Sequence, residues 1–333
     1  MVETPSLPLI DAVRLRQAVA WQDLIEPVAA ALRDSSAGRA DNGLIVMYPA
    51  ERADRGDVYV KTGVLQGHRI FIVKVSPWFA RNSELGLPQG GFIGVFDAQT
   101  GYALAILRDE HYLSDIRTAA TGAIAARILC PPVIERVTVL GAGTQAHWQV
   151  LALHHERPFR QLTVWSRNPD RARGLCSRLE PLLTGVALST ASGLPAAVGS
   201  ADVIITATIS REPLIRGDWL RAGQHITAVG ADDPSKCELD ADSLRRARVF
   251  VDSMAAARAN GDVSRAIQAG QYSVEEIAGE LGEVLAGSKM GRVARSDITI
   301  AKLVGIGAQD VAAAQVALAR LGLLSESAPS ADR

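Results

Sequence analysis

The apolar positions change their spacing several times along this chain, and each change marks a different kind of element. From Asp11 to Leu32 they recur at helical intervals. Between Gly43 and Phe96 the pattern becomes four short β-rich runs, LIVMYP, DVYVKTGV, RIFIVKV and GFIGVFD, separated by Gly, Pro and Asp. Their close succession predicts an antiparallel meander rather than strands joined by crossover helices. An Ala-rich stretch from Leu113 to Leu129 predicts a helix that Pro131 and Pro132 end. After the prolines, strand and helix patterns alternate: RVTVLG, TQAHWQVLALHH, QLTVWS, a helix through Arg171 to Leu182, then ADVIITAT, QHITAVG and RVFVD. That rhythm predicts a parallel, doubly wound sheet. The late stretch ITIAKLVGIGAQDVAAAQVALARLG is expected to be a helix. The expected fold class is α/β. A Rossmann domain spans residues 132–296, and residues 1–131 form an α+β domain with an antiparallel sheet. Residues 297–323 supply the C-terminal helix and 324–333 a polar, flexible tail.

Composition narrows the function classes. The chain has 333 residues, enough for two domains with sizeable cores. Apolar residues make up 48% and charged residues 21%, and the formal net charge is −1. No global basic field is available to hold nucleic acid or an anionic membrane. The start, MVETPSLPLIDAV, lacks the basic and apolar regions of a signal peptide. The richest apolar run, Ala119 to Cys130, is broken by Arg127 and stopped by the prolines, so no bilayer span is expected. Cys130, Cys176 and Cys237 are far apart and lack metal-ligand spacing, which points to reduced thiols in the cytoplasm. His154 and His155 are adjacent on one helix and cannot face one metal together, so no metal site is expected.

The first chemical motif is Gly141-Ala142-Gly143-Thr144-Gln145-Ala146, a G-x-G-x-x-A that follows a strand and opens a helix. In that context Gly141 makes the tight turn, Gly143 lets the backbone approach a pyrophosphate, and Ala146 lets helix and strand pack closely. The helix N-terminus offers free N–H groups to the phosphates. At the end of the next strand stand Ser166, Arg167 and Asn168, with no acid before Asp170. An NAD site usually places an acid there for the ribose hydroxyls, whereas Ser166 and Arg167 suit a 2′-phosphate. NADP(H) is therefore favoured over NAD(H), with a solvated loop charge as the competing account of Arg167. Further cofactor contacts are expected at the carboxyl ends of later strands, at Thr206, Ala207, Thr208, Val229 and Gly230.

Four charged residues occupy positions where a charge is costly unless used. Lys74 lies within Ile70–Val75, Lys61 within Val58–Thr62, Arg117 near the start of the Ala-rich helix, and Asp232 beyond the strand that ends Ala228-Val229-Gly230. Each has a plain alternative: an outward face for the two lysines, pairing with Asp115 or Asp109 for Arg117, and a turn cap beside Pro234 for Asp232.

Read together, these motifs resemble the ornithine cyclodeaminase/μ-crystallin family. The markers run from about Gly43 to Ala313: IVKVSPWFARN with the following GLP, DAQTG, YLSDIRTAATGAIAA, LGAGTQA, VIITATIS, AVGADDPSKCELD and SDITIAKLVGIGAQDVAAA. The wording of DVYVKTGVLQG and KVSPWFARNSELGLP is most similar to the ectoine-utilisation branch. The resemblance implies a substrate and dimerisation domain completed by the C-terminal helix, a Rossmann domain, and a homodimer joined through the N-terminal sheets. It implies that Lys74 and Arg117 hold a substrate carboxylate and that Asp232 handles the amino group and its protons. It also suggests a further arginine upstream of the first strand, for which Arg39 is the nearest candidate at a shorter spacing than in cyclodeaminases. Two positions depart from ornithine cyclodeaminase: Val46 replaces an acid, and Gln89 replaces a Thr. With Met47 and Trp78 nearby, this favours a neutral or apolar substrate side chain. The leading expectation is an NAD(P)H-dependent imine (ketimine) reductase or amino-acid dehydrogenase acting on a 2-imino or amino acid. The alternatives are a cyclodeaminase using NAD(P)⁺ catalytically and a nucleotide-bound binding protein.

Overall fold

A computed structural model of the protein describes residues 6–49 and 56–324. The expected tail lies outside the described residues from position 325 onward. The described residues form two compact units. One comprises the chain up to Arg117 together with the residues from Ile306 onward, and the other is Thr118–Gly305.

The first unit contains β1 (Leu9–Asp11), β2 (Ala40–Met47), β3 (Gly56–Leu65), β4 (Ile70–Phe79), β5 (Phe92–Asp97) and β6 (Ala103–Arg108). The sheet order is β1-β6-β5-β4-β3-β2. The strands from β2 to β5 are the expected antiparallel meander; β6, beyond the four expected runs, extends it, and β1 adds a parallel edge beside β6. Side chains alternate across a strand, and here the alternation separates two different faces. The inner face carries Tyr59, Lys61, Ile70, Ile72, Lys74, Ile93, Val95 and Leu107, all buried. Helices Ile25–Ser36 and Gly307–Arg320 pack on this side. The outer face presents Ile45, Met47, Val64 and Phe92 to solvent, with the stacked rings of Phe71 and Phe96 5.0 Å apart between them.

Two glycines seat the last helix. A Cβ on Gly63 would collide with the carbonyl of Gly307, and one on Gly307 would collide with the carbonyl of Thr62. Backbone therefore rests on backbone, and the next turn of the helix brings Asp310 down over the strands that carry Lys61 and Lys74.

The second unit holds β7 (Arg136–Leu140), β8 (Gln161–Trp165), β9 (Ala187–Thr190), β10 (Val203–Thr206), β11 (His225–Ala228), β12 (Arg248–Val251), β13 (Ile277–Glu280) and β14 (Thr299–Lys302). Its sheet is parallel throughout, in the order β13-β12-β14-β11-β10-β7-β8-β9. The chain winds outward from β7 through β8 to β9, then restarts on the other side at β10. The crevice of such a sheet lies at this switch point, outside the carboxyl ends of β7 and β10. The interior reads as near-continuous Val, Ile and Leu, as expected of strands covered on both faces.

One expectation is overturned. ITIA is not the start of the last helix but the buried strand β14, inserted between β11 and β12. The helix begins only at Gly307. A short apolar run does not distinguish a buried strand from a buried helix by periodicity. Its β-branched Ile298, Thr299 and Ile300 and the following Gly305 were the signal for a strand and a break.

Candidate functional site

The cationic cluster of the first unit is built from three elements. Lys61 on β3 stands directly opposite Lys74 on β4, so both point to the inner face. They are buried, at 6% and 3% exposure, which removes the account of them as outward surface residues. Like charges facing across a strand pair repel, and Asp310 from the overlying helix answers them. Lys74 Nζ donates to Asp310 Oδ1 at 2.9 Å and to Ser114 Oγ at 2.8 Å. Arg117, on the helix Tyr112–Leu129, donates through Nε to the same Asp310 oxygen at 2.9 Å, and through Nη1 to Gln309 Oε1 at 2.8 Å. Asp310 Oδ2 and Gln309 Nε2 are buried and take no hydrogen bond among the described residues.

These contacts set the charge states. Burial alone would raise the Asp310 carboxyl, but Arg117, Lys74 and Lys61 outweigh it and hold the group well below the usual carboxylate range. Burial lowers the Lys74 ammonium; Asp310 opposes that shift and Arg117 adds to it. Burial raises Asp109, whose carboxylate accepts from the Leu113 N–H at 3.0 Å at the start of the helix. Just before that helix, Glu110 and His111 adopt left-handed backbone, φ 50° and 68°, which is uncommon outside glycine. The His111 ring is tied to Ser76, Nε2 to Oγ at 3.1 Å, two residues along β4 from Lys74. Burial and the Lys74 charge push its pKa down to about 4.

Strand register locates the residues that bear on specificity. Val46 pairs with Tyr59, which pairs with Ser76, so Val46 lies on the same face as Lys61 and Lys74. Trp78 also lies on this face, opposite Asp57. Met47 does not; it belongs to the outer face. Gln89 is turned to the backbone N–H of Phe79 at 3.4 Å. Arg39 is not brought to the cluster. It precedes β2, where Ala40 pairs with Leu65 while Leu44 pairs with Lys61, and its exposed guanidinium is bound to Asp34 through Nε at 3.2 Å. The run of residues between those two levels of the sheet separates them by about 15 Å.

In the second unit, Gly141 has φ 123°, and a Cβ there would strike the carbonyl of Ala207 in the loop after β10. Gly143 is the N-cap of the helix Thr144–Glu156, and a Cβ added to it would meet nothing within 4 Å. Space over Gly143 beside the N-terminal turn of a helix is what a pyrophosphate requires. Ala146 is fully buried against the strand. Thr144 and Gln145 follow on the same first turn. Beyond β8, Ser166 is partly buried and Arg167 exposed, with no ion pair among the described residues. Asn168 is a helix cap whose side chain accepts from the Asp170 N–H at 2.9 Å. Asp170 itself pairs with Arg173.

Asp232 follows β11 and Val229-Gly230, partly exposed, with its Oδ1 2.6 Å from Lys236 Nζ. Lys236 also lies 3.1 Å from the buried Asp233, so the turn cap falls to Asp233, which accepts from Ser235 N at 2.6 Å. The sequence reading missed the carboxylate behind this loop. Glu238 is fully buried and takes four hydrogen bonds: Thr208 N and Oγ1 on Oε1, both at 2.7 Å, and Thr206 Oγ1 at 2.7 Å and Gly230 N at 2.9 Å on Oε2. Thr206 is itself fully buried with its hydroxyl committed to Glu238, so its side chain does not line the crevice. Behind Glu238, Asp262 accepts from the Glu238 and Leu239 N–H groups at 2.6 and 2.9 Å and lies 3.0 Å from Lys302 on β14. Lys302 was readable by the argument applied to Lys74, a lone charge in the apolar run ITIAKLV. Glu238 and Asp262 carry no such signal.

Residues 8–321 match the family model "Ornithine cyclodeaminase/mu-crystallin family". The chain belongs to this family. An uncharacterized cyclodeaminase of Sinorhizobium fredii is 39% identical over 323 residues, covering 95% of this chain and 96% of that protein. Among solved structures, the Δ1-pyrroline-2-carboxylate reductase of Thermococcus litoralis, in complex with NADH and L-proline, superposes with a TM-score of 0.88 at 27% identity, covering 94% of this chain and 97% of that one. An archaeal alanine dehydrogenase dimer with bound NAD gives 0.87 at 28% identity, covering 94% and 95%. The fold is thus the α/β arrangement of nicotinamide-dependent relatives. Among the described residues, no helix is long and apolar enough to cross a membrane, and no group of three or more His, Cys, Asp or Glu is placed to hold a metal ion.

Proposed function

We propose that this protein is a nicotinamide-dependent oxidoreductase that interconverts a 2-imino acid and the corresponding amino acid at the Cα–N bond. The observation that carries the reading is the convergence of Lys74 and Arg117, buried and from different elements, on one oxygen of Asp310. Two cations held in fixed positions by a shared counter-ion form a preorganised receptor for a substrate carboxylate. The first unit would hold that carboxylate. The second would hold the dinucleotide on the Gly141–Ala146 loop, through Gly143 and the N–H groups of Thr144 and Gln145, with Ala207, Thr208, Val229 and Gly230 along the strand ends. A bound nicotinamide supplies or accepts the hydride. Asp232 would take or give the proton that accompanies the change at nitrogen. Ser166 and Arg167 favour NADP(H), while the neighbouring structures contain NADH and NAD. The free thiols of Cys130, Cys176 and Cys237 fit a reducing, cytoplasmic setting.

Val46 favours reduction over cyclodeamination. It occupies the inner face beside Lys61 and Lys74, where a carboxylate would be needed to grip a distal ammonium such as that of ornithine. The exposed apolar outer face of the first sheet supports a homodimer joined there, since a patch of that kind on a sheet marks an association surface.

The test is NADPH absorbance with purified protein and a panel of imino acids: five- and six-membered cyclic ketimines, and pyruvate with ammonia or methylamine. Ornithine with NAD(P)⁺ runs beside them for ammonia release. Stoichiometric loss of NADPH, abolished by Lys74→Met, is expected. Ammonia release without net cofactor change would replace this reading with cyclodeamination. Arg167→Ala should lower the preference for NADPH over NADH by about tenfold, the size of one lost charge-assisted contact. A lower KM for NADH in the parent protein would refute the NADPH preference.

A further inference from the structure

We infer that Glu238 is a positioning residue for the nicotinamide dinucleotide: it never touches the cofactor but fixes the two backbone loops that receive it. This rests on the proposed function above. A carboxylate buried away from water is costly, and it persists only when its lone pairs are filled. Glu238 meets that condition completely. A carboxylate has about four acceptor sites, and Thr206, Thr208 and Gly230 occupy four. Two of the four donors are backbone N–H groups, Thr208 on Oε1 and Gly230 on Oε2, and they belong to different loops.

One side chain therefore ties the loop after β10 to the loop after β11 at the carboxyl edge of the sheet. The second of these loops leads within two residues to Asp232. The rear of the tie is anchored as well. The Glu238 N–H is held by Asp262, and Lys302, paired with Asp262, donates to the carbonyl of Ala231 at 2.5 Å. The backbone adds a second, longer tie, since the Gly230 N–H also reaches the Thr206 carbonyl at 3.2 Å, and the packing is close: a Cβ on Gly230 would collide with the Thr208 backbone and with Glu238.

This geometry makes a sharp prediction for the isosteric amide. A glutamine has one carbonyl oxygen, so whichever way it turns, either Thr208 N–H or Gly230 N–H faces an NH₂ donor. Glu238→Gln thus keeps the bulk but removes one side-chain tie to a loop N–H and sets a donor against it. Thr206→Val is milder, removing one hydroxyl donor and leaving both backbone bonds. The experiment titrates full-length protein with NADPH and NADH by nucleotide fluorescence, records thermal melts, and compares KM for the imino acid. Glu238→Gln should raise the dinucleotide Kd by about tenfold or more, the scale of one buried donor losing its acceptor. Thr206→Val should raise it by about threefold. The imino-acid KM measured at saturating cofactor should stay within about twofold of the parent value. Dinucleotide affinity within twofold of the parent in both folded variants would overturn the inference. So would an affinity that falls only in proportion to the folded fraction, which is what a merely structural residue would give. If Glu238→Gln does not fold, Thr206→Val decides by the same criterion. A parent protein that binds neither dinucleotide would refute the proposed function and this inference with it.

Discussion

Asp310 is the residue on which the first unit's charge balance turns, and it was not visible as such in the sequence. It lies in a helix among alanines, and nothing in its spacing sets it apart from a surface acid. Only the close seating of Gly307 on Gly63 places it against Lys74 and Arg117. Asp310→Asn should cost about 3–5 kcal/mol, because it strands buried cations without their partner, and urea denaturation will measure it. The pH dependence follows from the same groups. Asp310 titrates lower in the folded protein than the ordinary carboxylate value of about 3.9. Its stabilisation is therefore complete above that value and lost as pH falls below it. His111 and His225 act at higher pH. Their folded values are depressed to about 4 and about 3, against about 6.5 when unfolded, so the unfolded chain binds more protons between those limits. Stability should be full above pH ~6.5 and decline as pH drops toward ~4. His111→Asn, which tolerates left-handed backbone, should make that decline shallower in denaturation curves taken across this range. An unchanged slope would show that His111 is not buried as neutral imidazole.

At the scale of elements, the turn between β7 and its helix separates two uses of glycine. Gly141→Ala puts a side chain where φ is 123° and where Ala207 already stands, so it should lower both the melting temperature and dinucleotide binding. Gly143→Ala meets no atom within 4 Å. It should leave the melting temperature near that of the parent while weakening dinucleotide binding, because the methyl would fill the approach to the backbone. Equal affinity in Gly143→Ala and parent would mean that phosphate does not approach there. The Gly141–Ala146 loop was legible because its glycines answer to local backbone geometry, and its strand and helix neighbours were periodic. Strand β14 was not, because four buried residues carry too little pattern to distinguish strand from helix.

For the whole molecule, the outer face of the first sheet yields the prediction on assembly. Ile45 and Val64 are exposed at 61% and 37% on a surface that also includes Phe92. Replacing both by lysine should convert a dimer to a monomer in light scattering, with little loss of monomer stability, since neither side chain is in the core. A parent protein that is already monomeric would remove the homodimer from the reading. The sequence by itself determined the class of fold, the strand–turn–helix at Gly141–Ala146 and the lone charges Lys61, Lys74, Arg117 and Asp232. Each of these depends on periodicity or on the cost of a charge in or beside an apolar element, and both are local. Tertiary structure alone decided who partners those charges. It set Asp310 on Lys74 and Arg117, spent Arg39 on Asp34, and tied two loops together through Glu238. The physical reason is that a buried ion is stable only in company, and its company comes from segments brought together when the sheets and helices pack.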